Sequence, residues 1–396
     1  MKKLARDVCI VGVGMHKFGK FLDKSLKELT RVAVWNAIHD AGIDAKRIEG
    51  AYFANVLAGL ITGQEAIRGH VCLRDAGFAG LPIVNVESAC ASGTVAIREA
   101  MLAISAGLYD VLLVVGAEKL YLEDTAQSIS AMSTNTDVEI MGGLGFQFTG
   151  SYAMSLRKYM QAYGWTQEHF AKVASKNKTN GALNPNAQYR KPMSVEEILN
   201  SRVIAWPLTL YMCSTMADGA AAAIVCAKDI AAEISRRPPI TISGCALRSG
   251  EITEGDDGQK RVASDAYEMA GLGPEDIEVV EVHDAMSPGE MFRLEKLGFC
   301  APEAVGKRVD EGYFSLSGKL PVNPSGGLAA RGHPIGATGI AQICEIVWQL
   351  RGEAGPRQVK GRNSAFPRIG LTQNSGGYVE GGPAALTVTI LTRDAG

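Results

Sequence analysis

Two stretches of this chain repeat one another, and that repetition constrains the fold more than any single motif. AGIDAKRIEGAYFAN, ending at Asn55, aligns without gaps against AGLGPEDIEVVEVHD, ending at Asp284, so that Ile48 matches Ile277. The apolar run at 8–13 recurs at 240–245, GTVAI from Gly93 recurs as GIAQI from Gly339, and DGAAAAIVC at 218–226 recurs as PAALTVTIL at 383–391. Each copy alternates β-branched runs with helical spacing, the mark of an α/β unit. A chain of 396 residues exceeds one ordinary core, so two such units packed about a pseudo-twofold are expected. The first half is read as residues 1–120 with 208–235, and the second as 236–396, after the linker RRPP. Residues 121–207 break the pattern with Ser, Thr, Asn, Gln and Gly and read as an insertion draped over the core. Long insertions of this kind commonly bind substrate. Its basic residues Lys176, Lys178, Arg190 and Lys191 serve either as ligand contacts or as a solvated face.

Within the first copy, 82–86 reads as a short buried strand, 87–93 as a tight turn of small residues, and 94–105 as a helix stopped by Gly107. Cys90 therefore stands on a strand-to-helix elbow, where unpaired N–H groups and the helix dipole favour a thiolate. A buried, inert thiol is the competing reading. Earlier in the chain, 25–41 reads as an amphipathic helix with Leu26, Leu29, Val32, Val34, Ala37 and Ile38 on one face and a Ser25/Glu28 capping box. Gly12-Val13-Gly14 lacks the later glycine and acidic residue of a dinucleotide loop, so no Rossmann site is expected.

Composition narrows the function classes. A net charge of −2 offers no electrostatic footprint for nucleic acid or an anionic membrane. Eight cysteines without a CxxC pair suit a reducing compartment and argue against a disulfide framework or a metal site. No apolar run reaches the ~20 residues of a membrane span. The start MKKLARD runs straight into a strand and the end RDAG is no targeting signal, so a cytoplasmic protein is expected.

Four stretches carry chemistry: SACASG at Cys90, VHDAMSPGE at His283, NPSGGLAARGHPIGATG at His333, and QNSGGYVEGG at Gly376-Gly377. Together with PLTLYMCSTMADGAAAAIV, they make the whole chain resemble the thiolase superfamily, particularly sterol-carrier-protein-type thiolases and their bacterial and archaeal relatives. The resemblance implies the thiolase fold, a duplicated unit layered α/β/α/β/α with an inserted loop domain that binds CoA and substrate. It implies that Cys90 accepts an acyl group from a 3-oxoacyl-CoA as a thioester. His333 would take the thiol proton, His283 would occupy the second oxyanion site, and the N–H of Gly376 would join that of Cys90 in the other. These roles suit acyl transfer, which needs a reactive sulfur, a nearby base and donors where charge develops. Coenzyme A is then co-substrate, with no tightly bound cofactor and no metal. A homodimer is implied, as is, in some relatives, a small zinc-ribbon/OB-fold partner protein. The acyl chains concerned would come from lipid or aromatic breakdown.

The chain departs from the family where an acid/base cysteine moves the α-proton. The two usual positions hold Asn374 and Ala285. Either a histidine of the Cys-His-His set moves that proton, or Cys213 is recruited, or the substrate carbanion needs less help. Two other readings stay open: a thiolase-like retro-aldolase of steroid side-chain degradation, and an acyl-CoA binder that has lost catalysis.

Overall fold

In the computed structural model, which describes residues 5–250, 257–380 and 382–394, each repeated stretch takes its place in one sheet. The first half contributes β1 (Val8–Met15), β2 (Gly50–Ala54), β3 (Ile83–Val86) and β4 (Val111–Glu118). A short hairpin follows, β5 (Val203–Ala205) and β6 (Leu208–Thr209), and then β7 (Gly219–Ala227). The second half supplies β8 (Ile240–Arg248), β9 (Val279–Glu281), β10 (Ile369–Gly376) and β11 (Ala385–Arg393). Nine of these run β3-β2-β4-β7-β1-β8-β11-β10-β9 across the sheet. Read outward from the middle, β1, β7, β4 and β2 correspond to β8, β11, β10 and β9. The copies join where β1 and β8 pair at only two registers, Cys9 with Thr241 and Ile10 with Ile240. The second copy's counterpart of β3 is reduced to a parallel bridge between Val280 and Val322.

Two helices lie between the halves, Ser92–Ser105 and Ile335–Arg351, and each packs on strands of both copies. In the second, every residue but Trp348 is buried, and its polar side chains are paired, Gln342 with the Gln373 carbonyl and Glu345 with Arg357. They meet at the repeated glycines. A Cβ on Gly93 would stand 2.9 Å from the Ile340 nitrogen, and one on Gly339 2.7 Å from the Thr94 nitrogen. The outer faces are covered by Leu26–Ala41 on β1 and β7 and by Gly258–Ala270 on β8 and β11. The result is five layers, α/β/α/β/α.

The Leu26–Ala41 helix starts where expected: Ser25 Oγ accepts the Glu28 N–H and Glu28 returns the bond to the Ser25 N–H. Gly42 ends it in the left-handed region at φ 65°. Its buried face includes Ala33 and leaves Val32 exposed, which corrects that part of the apolar stripe. A larger correction concerns β3, expected to be buried. It is the sheet's outer edge, partnered only by β2, with Val84 48% exposed. A four-residue apolar run carries no information about how many neighbours it will have.

Residues 121–207 fold mainly as helices, the longest being Phe148–Tyr163 and Gln167–Ala182. Leu156, Trp165 and Phe170 pack with Met291 and Phe292 of the second half. The basic residues divide. Lys176 pairs with buried Glu290 at 2.8 Å and Lys178 donates to the Ala329 carbonyl, whereas Arg190 and Lys191 are exposed. No helix among the described residues is long and apolar enough to cross a membrane.

Candidate active site

Cys90 belongs to a single 3-10 turn, Ala89–Ala91, between β3 and the Ser92–Ser105 helix. The turn is tight enough to force Ala89 to φ 47°, a left-handed conformation that costs a residue with a Cβ roughly 1 kcal/mol or more. Local hydrogen bonds hold it there. Ser92 Oγ accepts the Ser88 N–H at 2.8 Å and donates to the Ala89 carbonyl at 2.6 Å, while Glu87 accepts the Ala89 N–H at 2.6 Å. The second copy brings the imidazoles. His283 follows β9, its N–H donating to Gln373 Oε1 at 3.2 Å. The next residue, Asp284, is clamped by the Leu328 N–H at 2.8 Å and Asn177 Nδ2 at 2.9 Å. His333 sits just ahead of the Ile335–Arg351 helix and bridges to Met216.

The three side chains converge. One donor atom from each of Cys90, His283 and His333 lies within 4.8 Å of the others, and the imidazoles meet edge to face at 5.1 Å. Such a set could also close on a thiophilic cation. The Thr338 hydroxyl gives its proton to the Pro334 carbonyl at 3.0 Å, so it accepts from His333 Nδ1, 2.7 Å away. Assigned from that network, Nδ1 carries the proton and Nε2 is the free base. A cavity of about 380 Å³ opens from this point, with Ser151, Tyr152, Ala285, Arg293 and Gly377 among its walls.

Electrostatics correct the expected thiolate. Burial first, then the Glu118 carboxylate, push the Cys90 thiol up to about 12, against the N–H groups of Cys90 and Gly377. Burial, reinforced by Arg331, drives His333 down to about 3. Burial likewise holds His283 well below the ordinary imidazole value, assisted by His333 and Arg293 and opposed by Asn374. The resting site is therefore a neutral thiol between neutral imidazoles. Proton transfer has to accompany bond formation.

The other residues singled out in the sequence lie around these three. The N–H that reaches the sulfur is that of Gly377; Gly376 instead packs against the Ser88 carbonyl and the Ala91 nitrogen, where a Cβ would not fit. Cys213 is turned away: its thiol donates to the Thr209 carbonyl at 3.4 Å within the insertion's apolar cluster, outside the cavity wall. Asn374 is buried beside His283, its Nδ2 donating to Gln342 Oε1 at 3.0 Å, while Ala285 faces the cavity.

Glu118 escaped the sequence reading. It ends β4, accepts the N–H groups of Leu57 and Gly336 at 3.0 and 2.9 Å and Asn55 Nδ2 at 3.0 Å, and burial raises it to about 7. Its one signal was an acid closing the otherwise apolar run VLLVVGAE.

Family models account for most of the chain: "Thiolase, N-terminal domain" over residues 8–229 and "Thiolase C-terminal domain-like" over 247–392. The chain belongs to the thiolase family. It is 40% identical to an acetyl-CoA acetyltransferase of Methanothermobacter thermautotrophicus, over 97% of this chain and 99% of that one. It is 38% identical to benzoylsuccinyl-CoA thiolase subunit BbsB of Thauera aromatica, over 95% and 96%. Among solved structures, an Ltp2-ChsH2(DUF35) aldolase superposes with a TM-score of 0.81 at 26% identity, covering 99% of each chain. The family identifies this chain as a thiolase-type acyltransferase, and the cysteine elbow and both histidines lie inside the matched segments.

Proposed function

We propose that this thiolase cleaves or forms the C–C bond of a 3-oxoacyl-CoA through an S-acyl intermediate on Cys90. The observation that carries this is the convergence of one thiol and two imidazoles, drawn from opposite copies, on the wall of one cavity. In the cleavage direction, His333 Nε2 takes the thiol proton as Sγ bonds to C3 of the substrate. The C2–C3 bond then breaks, its electron pair staying on C2 as the enolate of the departing acyl-CoA. The proton held on the His333 imidazolium passes through His283, whose ring meets it edge to face, to that carbon. Coenzyme A next gives its thiol proton to the imidazole, attacks the Cys90 thioester and restores the thiol. On this reading the N–H groups of Cys90 and Gly377, which act on the sulfur, serve as the donors to the oxyanion of the acyl-enzyme. With Asn374 and Ala285 in place of the family's second cysteine, His283 is the remaining titratable group at the sulfur and moves the α-proton. Its buried Nδ1 has no strict hydrogen-bond partner, nor has Asn374 Oδ1, so the pair can tighten as charge develops. Coenzyme A is a co-substrate on this reading, reaching the sulfur past the 121–207 insertion.

The same proposal includes assembly. The free edge of β3, with Val84 exposed, suits pairing with a second copy, and Val84→Lys is expected to give monomers in sedimentation. The relative named as a subunit and the neighbour solved with a DUF35 chain support a small partner protein, to be sought by copurification. That aldolase also favours a second reading, retro-aldol cleavage without an acyl-cysteine. Intact mass spectrometry with a panel of 3-oxoacyl-CoAs separates the two. An acyl adduct that Cys90→Ser abolishes, with turnover, supports thiolysis. Release of an aldehyde or ketone without an adduct supports the aldolase, and binding with neither supports an inactive binder.

A further inference from the structure

Two cations on the Gly289–Lys296 helix, one turn apart, line the cavity beside the reacting groups. Lys296 is neutralised by Asp257 at 2.7 Å and Glu295 at 3.2 Å. Arg293 has no carboxylate partner among the described residues. Its one polar contact there is a long hydrogen bond to the Tyr152 hydroxyl at 3.4 Å, and its Nε is buried without a partner. The same cavity wall carries Phe292, Tyr159 and Phe148, and its one acid among the described residues, Asp257, is held by Lys296. A half-buried guanidinium with a buried, unpartnered Nε leaves donors facing the cavity that an anion can complete. It is also close enough to His283 to disfavour the imidazolium there, an expense that serves no structural purpose visible in the fold.

We propose that Arg293 receives a carboxylate on the acyl portion of the substrate, so that this enzyme handles 3-oxoacyl-CoAs whose acyl group bears a carboxyl group. The claim deepens the thiolase reading and rests on it. A planar guanidinium matches a carboxylate bidentately, and the two terminal nitrogens, neither of them held by a carboxylate among the described residues, supply that fork. The phosphates of CoA are poorer candidates, because they lie a whole pantetheine arm from the sulfur that must reach Cys90. Arg293, by contrast, shares the wall with Cys90 and both histidines.

The test compares ligands that differ only at the acyl terminus, succinyl-CoA against butyryl-CoA and glutaryl-CoA against valeryl-CoA, by calorimetric titration of the full-length protein. The carboxylated member of at least one pair is expected to bind about 10- to 100-fold more tightly, and Arg293→Gln to collapse that ratio to about one. Arg293→Lys should retain part of it. A wild-type ratio near one for both pairs overturns the proposal without any variant. So does a ratio that survives Arg293→Gln, or an equal loss for both members, which would place Arg293 on the shared CoA portion. Binding needs no turnover, so the outcome is independent of the acyl-adduct experiment: a missing adduct defeats thiolysis, a missing ratio defeats carboxylate recognition.

Discussion

The two copies of the repeated unit place a helix N-terminus at the same point of the central layer and use it in opposite ways. In the first copy, the turn before Ser92–Ser105 offers a nucleophile, Cys90, on a strained and locally braced backbone. In the second, the turn before Ile335–Arg351 offers a base, His333, whose tautomer is set by Thr338. The matched pair Asn55 and Asp284 diverges likewise. Asn55 donates to Glu118 and the Ala117 carbonyl, whereas Asp284 accepts from Leu328 and Asn177. Duplication thus supplies a symmetric frame in which the complementary halves of an acid–base reaction are brought face to face, and chemistry resides in the residues where the symmetry fails.

That contrast breaks most sharply at the sulfur. Cys90→Ala should lower kcat/KM for the best 3-oxoacyl-CoA by about 10⁴-fold or more and abolish the acyl adduct, measured by thiolysis rate and intact mass. Activity within tenfold of wild type would remove the nucleophile from the first copy altogether. Next in size, His333→Ala is expected to cost about 10²–10⁴-fold in kcat, and His283→Ala a loss within the same range. The two can be told apart. Without His333 the single-turnover acylation of Cys90 should slow most, whereas without His283 acylation should be less affected than exchange of the α-proton with deuterium from solvent.

Much of this frame is legible in the sequence because its signals are local or repeated. The aligned stretches, the Ser25/Glu28 box and the glycines at 93 and 339 each state their own geometry, and the elbow and both histidines lie in compact motifs. What is not legible depends on distant partners. The protonation of Cys90 is set by burial and by Glu118, which arrives from the end of another strand. Lys176 reads as a loop cation until Glu290 is brought against it. Arg293 carries no signal of its own in the sequence, and nothing in MFRLEKLG announces that its face lines a cavity. The edge position of β3 belongs to the sheet as a whole.

A smaller effect sharpens the role of the second copy's helix start. Thr338→Val keeps the shape but removes the acceptor that holds the His333 Nδ1 proton. The ring is then free to present either nitrogen to the thiol. The expected loss is about tenfold in kcat with little change in KM, a split that a merely structural hydroxyl would not produce.

The smallest effect concerns Glu118, the carboxyl that joins the copies by holding the Gly336 N–H from the end of β4. Burial raises it to about 7 from an unfolded value near 4.3, so the folded state binds the extra proton between those limits. By linkage its contribution to stability is complete below about pH 4.3 and is lost as pH rises through about 7. Glu118→Gln should therefore flatten the stability profile across that window, seen as a smaller change in denaturation midpoint between pH 5 and 7.5. The same substitution removes the second-largest influence holding the Cys90 thiol up. Alkylation of Cys90 by iodoacetamide, still climbing at pH 9 in the wild type, should shift to lower pH, seen as roughly a few-fold rate gain at pH 8. Burial remains the larger cause, so no thiolate plateau near neutrality is expected in either protein. A plateau at pH 6–7 in the wild type would mean that the helix start outweighs burial after all, and that the first copy holds its nucleophile charged before any substrate arrives.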